Sequence, residues 1–213
     1  MNAISESFRV RCAAAAVALA AATVAPQVGA TLITFDDIAD AGGGTPILGS
    51  YAGFDWGNFA VLNVPLFVPP SPQPVGYGAA LQSPSNIAFN AFGDPATISA
   101  AAPFTLVGGW FAAGYWNPLE VTVTGYANGV QLNQTILTLG QTTATHAVFN
   151  WSGLDSVRFV VTGGTPPEPG YPGTQFGVDN LTLVSSVPEP SGQALLAAGL
   201  LVLGATASLR RKA

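Results

Sequence analysis

Three aspartates are the side chains whose type and placement best suit an ion. Asp36 and Asp37 close a short apolar run at residues 32–35, and Asp179 lies in the last such run, beside Asn180. Calcium takes about six to eight hard oxygen ligands, carboxylates and backbone carbonyls among them. If the first and last runs are neighbouring strands, these carboxylates converge, and an ion would offset their mutual repulsion. Asp40, near Gly42-Gly43-Gly44, could add a ligand. The sequence has no Asp-x-Asp-x-Asp-Gly loop, and solvated turn aspartates are the plain alternative. The only cofactor this pattern admits is one structural calcium on Asp36, Asp37 and Asp179.

A second chemistry is offered by rings. Tyr51, Phe54, Trp56, Tyr77, Trp110, Tyr115, Trp116 and Tyr171 lie in or beside segments rich in Gly, Pro and Asn. Flat rings stack on the apolar faces of sugars while neighbouring amides and carboxylates serve the hydroxyls. Trp56 and the run Tyr115-Trp116-Asn117 ahead of Pro118 are the candidate carbohydrate residues. The competing reading is that such rings pack the loops onto the core; Trp151, at the end of an apolar run, is assigned to the core outright.

Catalysis finds no comparable constellation. His146 has no His-x-x-x-His or Cys partner for a metal. Ser152-Gly153 is not a nucleophile elbow, because Gly-x-Ser-x-Gly does not occur. Glycoside hydrolysis needs two carboxyls across a cleft, and apart from Asp36-Asp37 the acids stand singly. No catalytic residue is assigned.

The elements that must position these groups read as strands. Residues 32–35, 59–64, 86–92 and 104–111 are short apolar runs bounded by Pro, Asn and Gly. Leu119–Ala127 alternates with period two and is rich in β-branched residues. Asn128-Gly129 joins it to Val130–Leu139, and Asn-Gly between two such runs specifies a type I′ hairpin turn. Residues 144–150, 156–162 and 175–184 complete the series, with no convincing helix among them. The expected class is an all-β antiparallel sandwich. Strand number and the Pro-rich stretch from 65 to 84 favour a jelly roll over an immunoglobulin-like arrangement.

Charge excludes several partners. From residue 31 to 186 nine acids face one base, Arg158, a net charge of −8 against −5 for the whole chain. A surface so poor in Lys and Arg cannot neutralise phosphates, so nucleic acid is not a partner. Neutral polysaccharide, or another copy of the chain, suits an uncharged polar surface with rings.

The two ends carry targeting patterns. Arg9 and Arg11 precede an apolar stretch at 12–25, and small residues at Val28 and Ala30 fit a signal-peptide cleavage site, so residues 1–30 are read as an export signal in helical form. Cys12 is the only cysteine, and without it the mature chain has neither disulfide nor thiolate. Val187-Pro188-Glu189-Pro190 precedes an uncharged stretch at 193–209, about 25 Å long as a helix and near the lower limit for a membrane span. Arg210, Arg211 and Lys212 then mark the cytoplasmic side. In order and position, residues 187–213 resemble the PEP-CTERM sorting signal of Gram-negative bacteria. That resemblance implies passage through the inner membrane, transient anchoring by a transmembrane helix, processing by an exosortase-type membrane protease, and a final place at the cell surface or outside it. The runs PFTLVGGWFAA, VTVTGYANG and FGVDNLTL also look like ectodomains common among PEP-CTERM proteins, which implies a jelly roll similar to carbohydrate-binding modules.

The expected organisation is therefore a signal peptide at 1–30, an ectodomain at 31–186 and a sorting tail at 187–213. The expected role is a non-enzymatic surface or matrix protein with weak carbohydrate binding. Two rivals are a self-associating structural or adhesion protein with no ligand pocket, and a hydrolase or lyase acting on exopolysaccharide.

Overall fold

The chain alternates inward and outward side chains almost wherever it is extended, and antiparallel β-structure follows throughout. The structure, a computed structural model, describes residues 29–68, 75–167 and 173–185. These belong to one unit, Gly29–Ser186. Residues 1–28 of the expected export signal, Tyr171 and the sorting tail lie outside the described residues, while Ala30, the last residue of that expected signal, opens the first strand. Among the described residues no helix is long and apolar enough to cross a membrane.

Eleven strands form: β1 (Ala30–Ile33), β2 (Thr45–Pro46), β3 (Ser50–Tyr51), β4 (Phe54–Gly57), β5 (Phe59–Asn63), β6 (Asn86–Asn90), β7 (Ala96–Ala113), β8 (Leu119–Ala127), β9 (Val130–Leu139), β10 (Thr145–Gly164) and β11 (Phe176–Ser185). They are hydrogen-bonded in the order β2-β5-β6-β11-β7-β10-β8-β9, with β1 on β11 and the β3–β4 hairpin on β7. The sheet folds over on itself. Phe59 of β5 meets Phe159 of β10 edge-on at 5.8 Å, although three strands separate β5 from β10 in the order. Inside lie seven fully buried phenylalanines: Phe35, Phe54, Phe59, Phe104, Phe111, Phe159 and Phe176. Burying such a side chain is worth roughly 1.5–3 kcal/mol, so this ring cluster dominates the core of a domain without disulfides.

Two one-turn helices, α1 (Val64–Phe67) and α2 (Tyr77–Ala80), cover part of the outer face. Asn63 caps α1 by accepting from Leu66 N at 3.2 Å. Beneath them Leu62, Val64, Tyr77, Ala80, Ile87 and Ala112 form a second, smaller apolar cluster. That cover explains why β5 is buried along nearly its whole length: Val61 points into the main core and Leu62 into the second.

The β8–β9 hairpin forms as expected, with Asn128 at φ 51° and Gly129 at φ 75°, the left-handed pair that type I′ requires. Asp155 accepts from Asn128 N across this turn. Two strands are longer than their local sequence signals, while β5 and β6 stop short of the runs read at 59–64 and 86–92. The run read at 104–111 is the end of β7, which begins at Ala96; the runs at 144–150 and 156–162 are one strand, β10. Irregularities interrupt the β7–β10 pairing between Val148 and Ser156, where Asn150 and Gly153 take positive φ. Such bulges bend a strand without ending it.

Candidate functional site

Period-two alternation in β1 sends Ile33 into the core and leaves Leu32 57% exposed. Past the strand, the chain turns at Asp36-Asp37. Here an open groove of about 600 Å³ runs between β1 and the β3–β4 hairpin, lined by Thr31–Thr34, Asp36, Asp37, Tyr51 and Ala52. Tyr51 Oη donates to Asp37 Oδ1 at 2.6 Å, and the Tyr51 ring stacks on Phe35 at 6.1 Å. Burial first, then the Asp37 carboxylate, pushes the Tyr51 phenol above its ordinary range. Tyr51 is therefore a neutral hydroxyl that orients Asp37.

The expectation that Asp36 and Asp179 approach one another rests on β1 and β11 being neighbours, and they are: Ile33 pairs with Leu181. Both carboxylates grip the same segment, residues 82–86. Asp36 Oδ1 accepts from Ser85 N (3.0 Å), Ser85 Oγ (3.1 Å) and Asn86 N (2.9 Å). Asp179 Oδ2 accepts from Gln82 N and Ser83 N, both at 2.7 Å. Its Oδ1 accepts from Asn180 N (2.6 Å) and Ser83 Oγ (3.2 Å). Asp40 acts similarly, accepting from Gly42 N and Asn63 N.

This donor set does not fit calcium. An ion needs lone pairs converging on it, whereas N–H and O–H donors point at Asp36 Oδ1 and at both Asp179 oxygens, and Asp37 Oδ1 accepts from Tyr51. Among the described residues no group of three or more acidic, His or Cys side chains assembles around a common point. The three aspartates are clamps on loops. Burial alone would raise the Asp36 carboxyl, but the Asn86 N–H and the Ser85 N–H and hydroxyl outweigh it, and the group lies below its ordinary range. Asp179 is wholly buried, and there burial wins over the N–H groups of Gln82, Ser83 and Asn180, so its carboxyl lies above the ordinary range.

The ring candidates divide. Trp56 is not a ligand platform, which corrects the sequence expectation. It is 5% exposed, donates its Nε1–H to Tyr51 O at 3.0 Å and packs edge-on to Phe35 and Phe59 at 5.5 and 5.3 Å. The missed signal was the spacing Phe54-x-Trp56, which is strand alternation rather than loop. Tyr115 and Trp116, both half-buried, diverge. Tyr115 stands edge-on to Tyr77 at 5.6 Å over the second cluster, while Trp116 packs against the main core. Gln141 Nε2 donates to Tyr115 O at 2.6 Å, and Asn117, exposed, donates its N–H to Thr165 O at 3.0 Å. The two rings thus pin one loop from two sides and do not form a single face.

A pair that the sequence did not single out lies on the outward side of the sheet. Trp110 of β7 and His146 of β10 are register partners, and their rings stack at 4.6 Å, 25° from parallel. His146 is exposed and Trp110 half-exposed. Two register positions away, Leu32, Thr182, Gly108 and Val148 form a row across β1, β11, β7 and β10. Val148 is 60% exposed, and Gly108 leaves the middle of the row without a side chain. At a strand spacing of about 4.8 Å the row spans about 14 Å. Leu32 belongs both to this row and to the groove, so the groove meets one end of the row. No local sequence signal could reveal the ring pair, because Trp110 and His146 are 36 positions apart and meet only through strand register.

No protein-family model matches the sequence, and no curated protein matches it. Among solved structures the chain is similar to TmCBM61 in complex with beta-1,4-galactotriose, at 10% identity and TM-score 0.32, covering 65% of this chain and 92% of that one. It is similar to a family 16 carbohydrate-binding module at 19% identity and TM-score 0.30, covering 61% and 86%. It is also similar to the CBM51 from Clostridium perfringens GH95 in complex with methyl-galactose, at 10% identity and TM-score 0.34, covering 72% and 99%. TM-scores of this size leave the ligand to be argued from the chain's own side chains.

Proposed function

We propose that this is a non-catalytic jelly-roll module of the cell surface or extracellular matrix that holds a neutral polysaccharide on the Trp110–His146 stack, the row beside it and the groove at the row's end. The observation that carries the reading is the exposed Trp110–His146 stack beside the row Leu32-Thr182-Gly108-Val148. Ring faces and aliphatic side chains suit the C–H faces of sugars. Thr182, the Thr31 and Thr34 hydroxyls and the Asp37 carboxylate suit their hydroxyls. The role of Val187-Pro188-Glu189-Pro190 and of Arg210, Arg211 and Lys212 in this reading is delivery: export, transient anchoring and release by an exosortase-type protease. That part rests on the sequence pattern of the tail.

With one arginine against nine acids in the ectodomain, affinity rests on stacking and hydrogen bonds, not on neutralising an anionic polymer. Retardation in a gel containing neutral polysaccharide should therefore be nearly unchanged between low and high salt, since screening acts on ionic contacts. Retardation that collapses with salt refutes the reading, as does an absence of retardation with every neutral polysaccharide tested.

A further inference from the structure

Among the described residues four asparagines hold their backbone at positive φ: Asn58, Asn128, Asn150 and Asn180. The residue that follows decides what each side-chain amide can meet. Phe59, Trp151 and Leu181 follow three of them, and Gly129 follows Asn128. The amides differ as well. Asn58 Nδ2 donates to Ala91 O at 3.1 Å and to Pro95 O at 3.3 Å, and Asn180 Oδ1 is buried. Asn128 is exposed, and its side-chain amide has no hydrogen-bond partner among the described residues. Gly129 is exposed too, and a Cβ added there would meet nothing within 4 Å. Its N–H donates to no carbonyl in the turn.

We propose that Asn128 is a site of spontaneous, one-way modification by water, reached through a cyclic imide with Gly129. The Gly129 nitrogen attacks Asn128 Cγ. The bond from Cγ to the amide nitrogen breaks, and ammonia leaves with the proton that the Gly129 nitrogen gives up. Water then opens the five-membered ring at one of its two carbonyls. Opening at the side-chain carbonyl gives aspartate, and opening at the main-chain carbonyl gives isoaspartate, with the chain running through the side chain. Either way one amide and one water become one carboxylate and one ammonium ion. Gly129 favours the attack because a residue without Cβ lets another group approach its backbone closely, whereas Trp151 would shield the same step at Asn150. The turn is also where the product matters. Asp155 Oδ2 accepts from Asn128 N, so a carboxylate at position 128 lies near that of Asp155, and like charges repel. Isoaspartate further adds a methylene to a two-residue turn, whose length fixes the register of its strands: Ala127 with Val130 and Tyr126 with Gln131. The modification therefore loosens the turn end of the β8–β9 hairpin.

The test incubates the purified full-length chain at mildly alkaline pH, both folded and in concentrated guanidinium chloride, and follows peptide masses with time. Asn150 is the built-in comparison, exposed and at φ 52° but followed by Trp151. The mass gain of amide replaced by carboxyl should appear at Asn128 at least tenfold faster than at Asn150. In the folded chain its rate should lie within tenfold of the rate in denaturant. Separated by ion exchange, the modified protein should melt at a lower temperature than the unmodified one. Asn128→Asp should reproduce only part of that shift, because it adds the charge and not the methylene. Equal rates at Asn128 and Asn150, or modification in denaturant alone, would overturn the site. An unchanged melting temperature on modification would overturn its effect on the hairpin.

Discussion

Replacing Asp179 by alanine removes the acceptor for three backbone N–H groups at once, those of Gln82, Ser83 and Asn180. The side chain is 0% exposed, so water does not replace it freely. An orphaned buried donor costs about 1–3 kcal/mol, and with some relaxation of the 82–86 segment the sum is about 3–5 kcal/mol. That is a large part of the roughly 5–15 kcal/mol that holds a domain together. Denaturant unfolding of the purified protein should show a lower midpoint at an unchanged slope. A pH dependence adds a sharper check. The folded-state pKa of Asp179 is raised above the ordinary 3.8, so the folded protein holds this proton more tightly than the unfolded chain does. Its contribution is fully present below pH 3.8 and is lost as pH rises through the raised folded value. Acidifying from neutrality towards pH 4 should therefore favour the wild type over Asp179→Ala, and the difference between them should widen. A loss under 1 kcal/mol would refute the clamp, and a gap that narrows on acidification would refute the raised carboxyl.

Gly129→Val places a β-branched residue at φ 75° and should destabilise the β8–β9 hairpin by about 1 kcal/mol or more, read by thermal melting. Because hydrogen-bond donors rather than further oxygen ligands meet Asp36, Asp37 and Asp179, the melting temperature should be the same in chelator as in millimolar calcium; a chelator-induced drop would restore the ion. Replacing Arg210, Arg211 and Lys212 together by alanine should leave unprocessed or mislocalised protein in cell fractionation, and normal delivery would remove the sorting role of the tail.

The hairpin was legible because its signals are local. Nine-residue alternation in β8 and one Asn-Gly pair joining it to β9 define the hairpin. The neighbouring of β1 and β11 was legible from general topology. What holds Asp36 and Asp179 was not, since the donors are backbone N–H groups of residues 82–86, and a backbone group has no letter. β7 was read short because Ala96–Pro103 is mostly small residues with weak strand preference. β10 was read as two strands because bulges at Asn150 and Gly153 resemble turns. Trp56 was misplaced for the converse reason: flanking glycines suggested a loop, while its contacts are those of a core strand.

The central claim, that sugar is held on the Trp110–His146 stack, is tested most directly by comparing two tryptophans in one affinity gel. Trp110→Ala should cut retardation by neutral polysaccharide at least tenfold, the equivalent of about 1.4 kcal/mol of lost stacking. Trp116→Ala, which removes a ring packed against the main core, should leave retardation within about twofold of the wild type once both variants are shown to be folded. Retardation unchanged in Trp110→Ala, or lost in Trp116→Ala alone, would contradict the account.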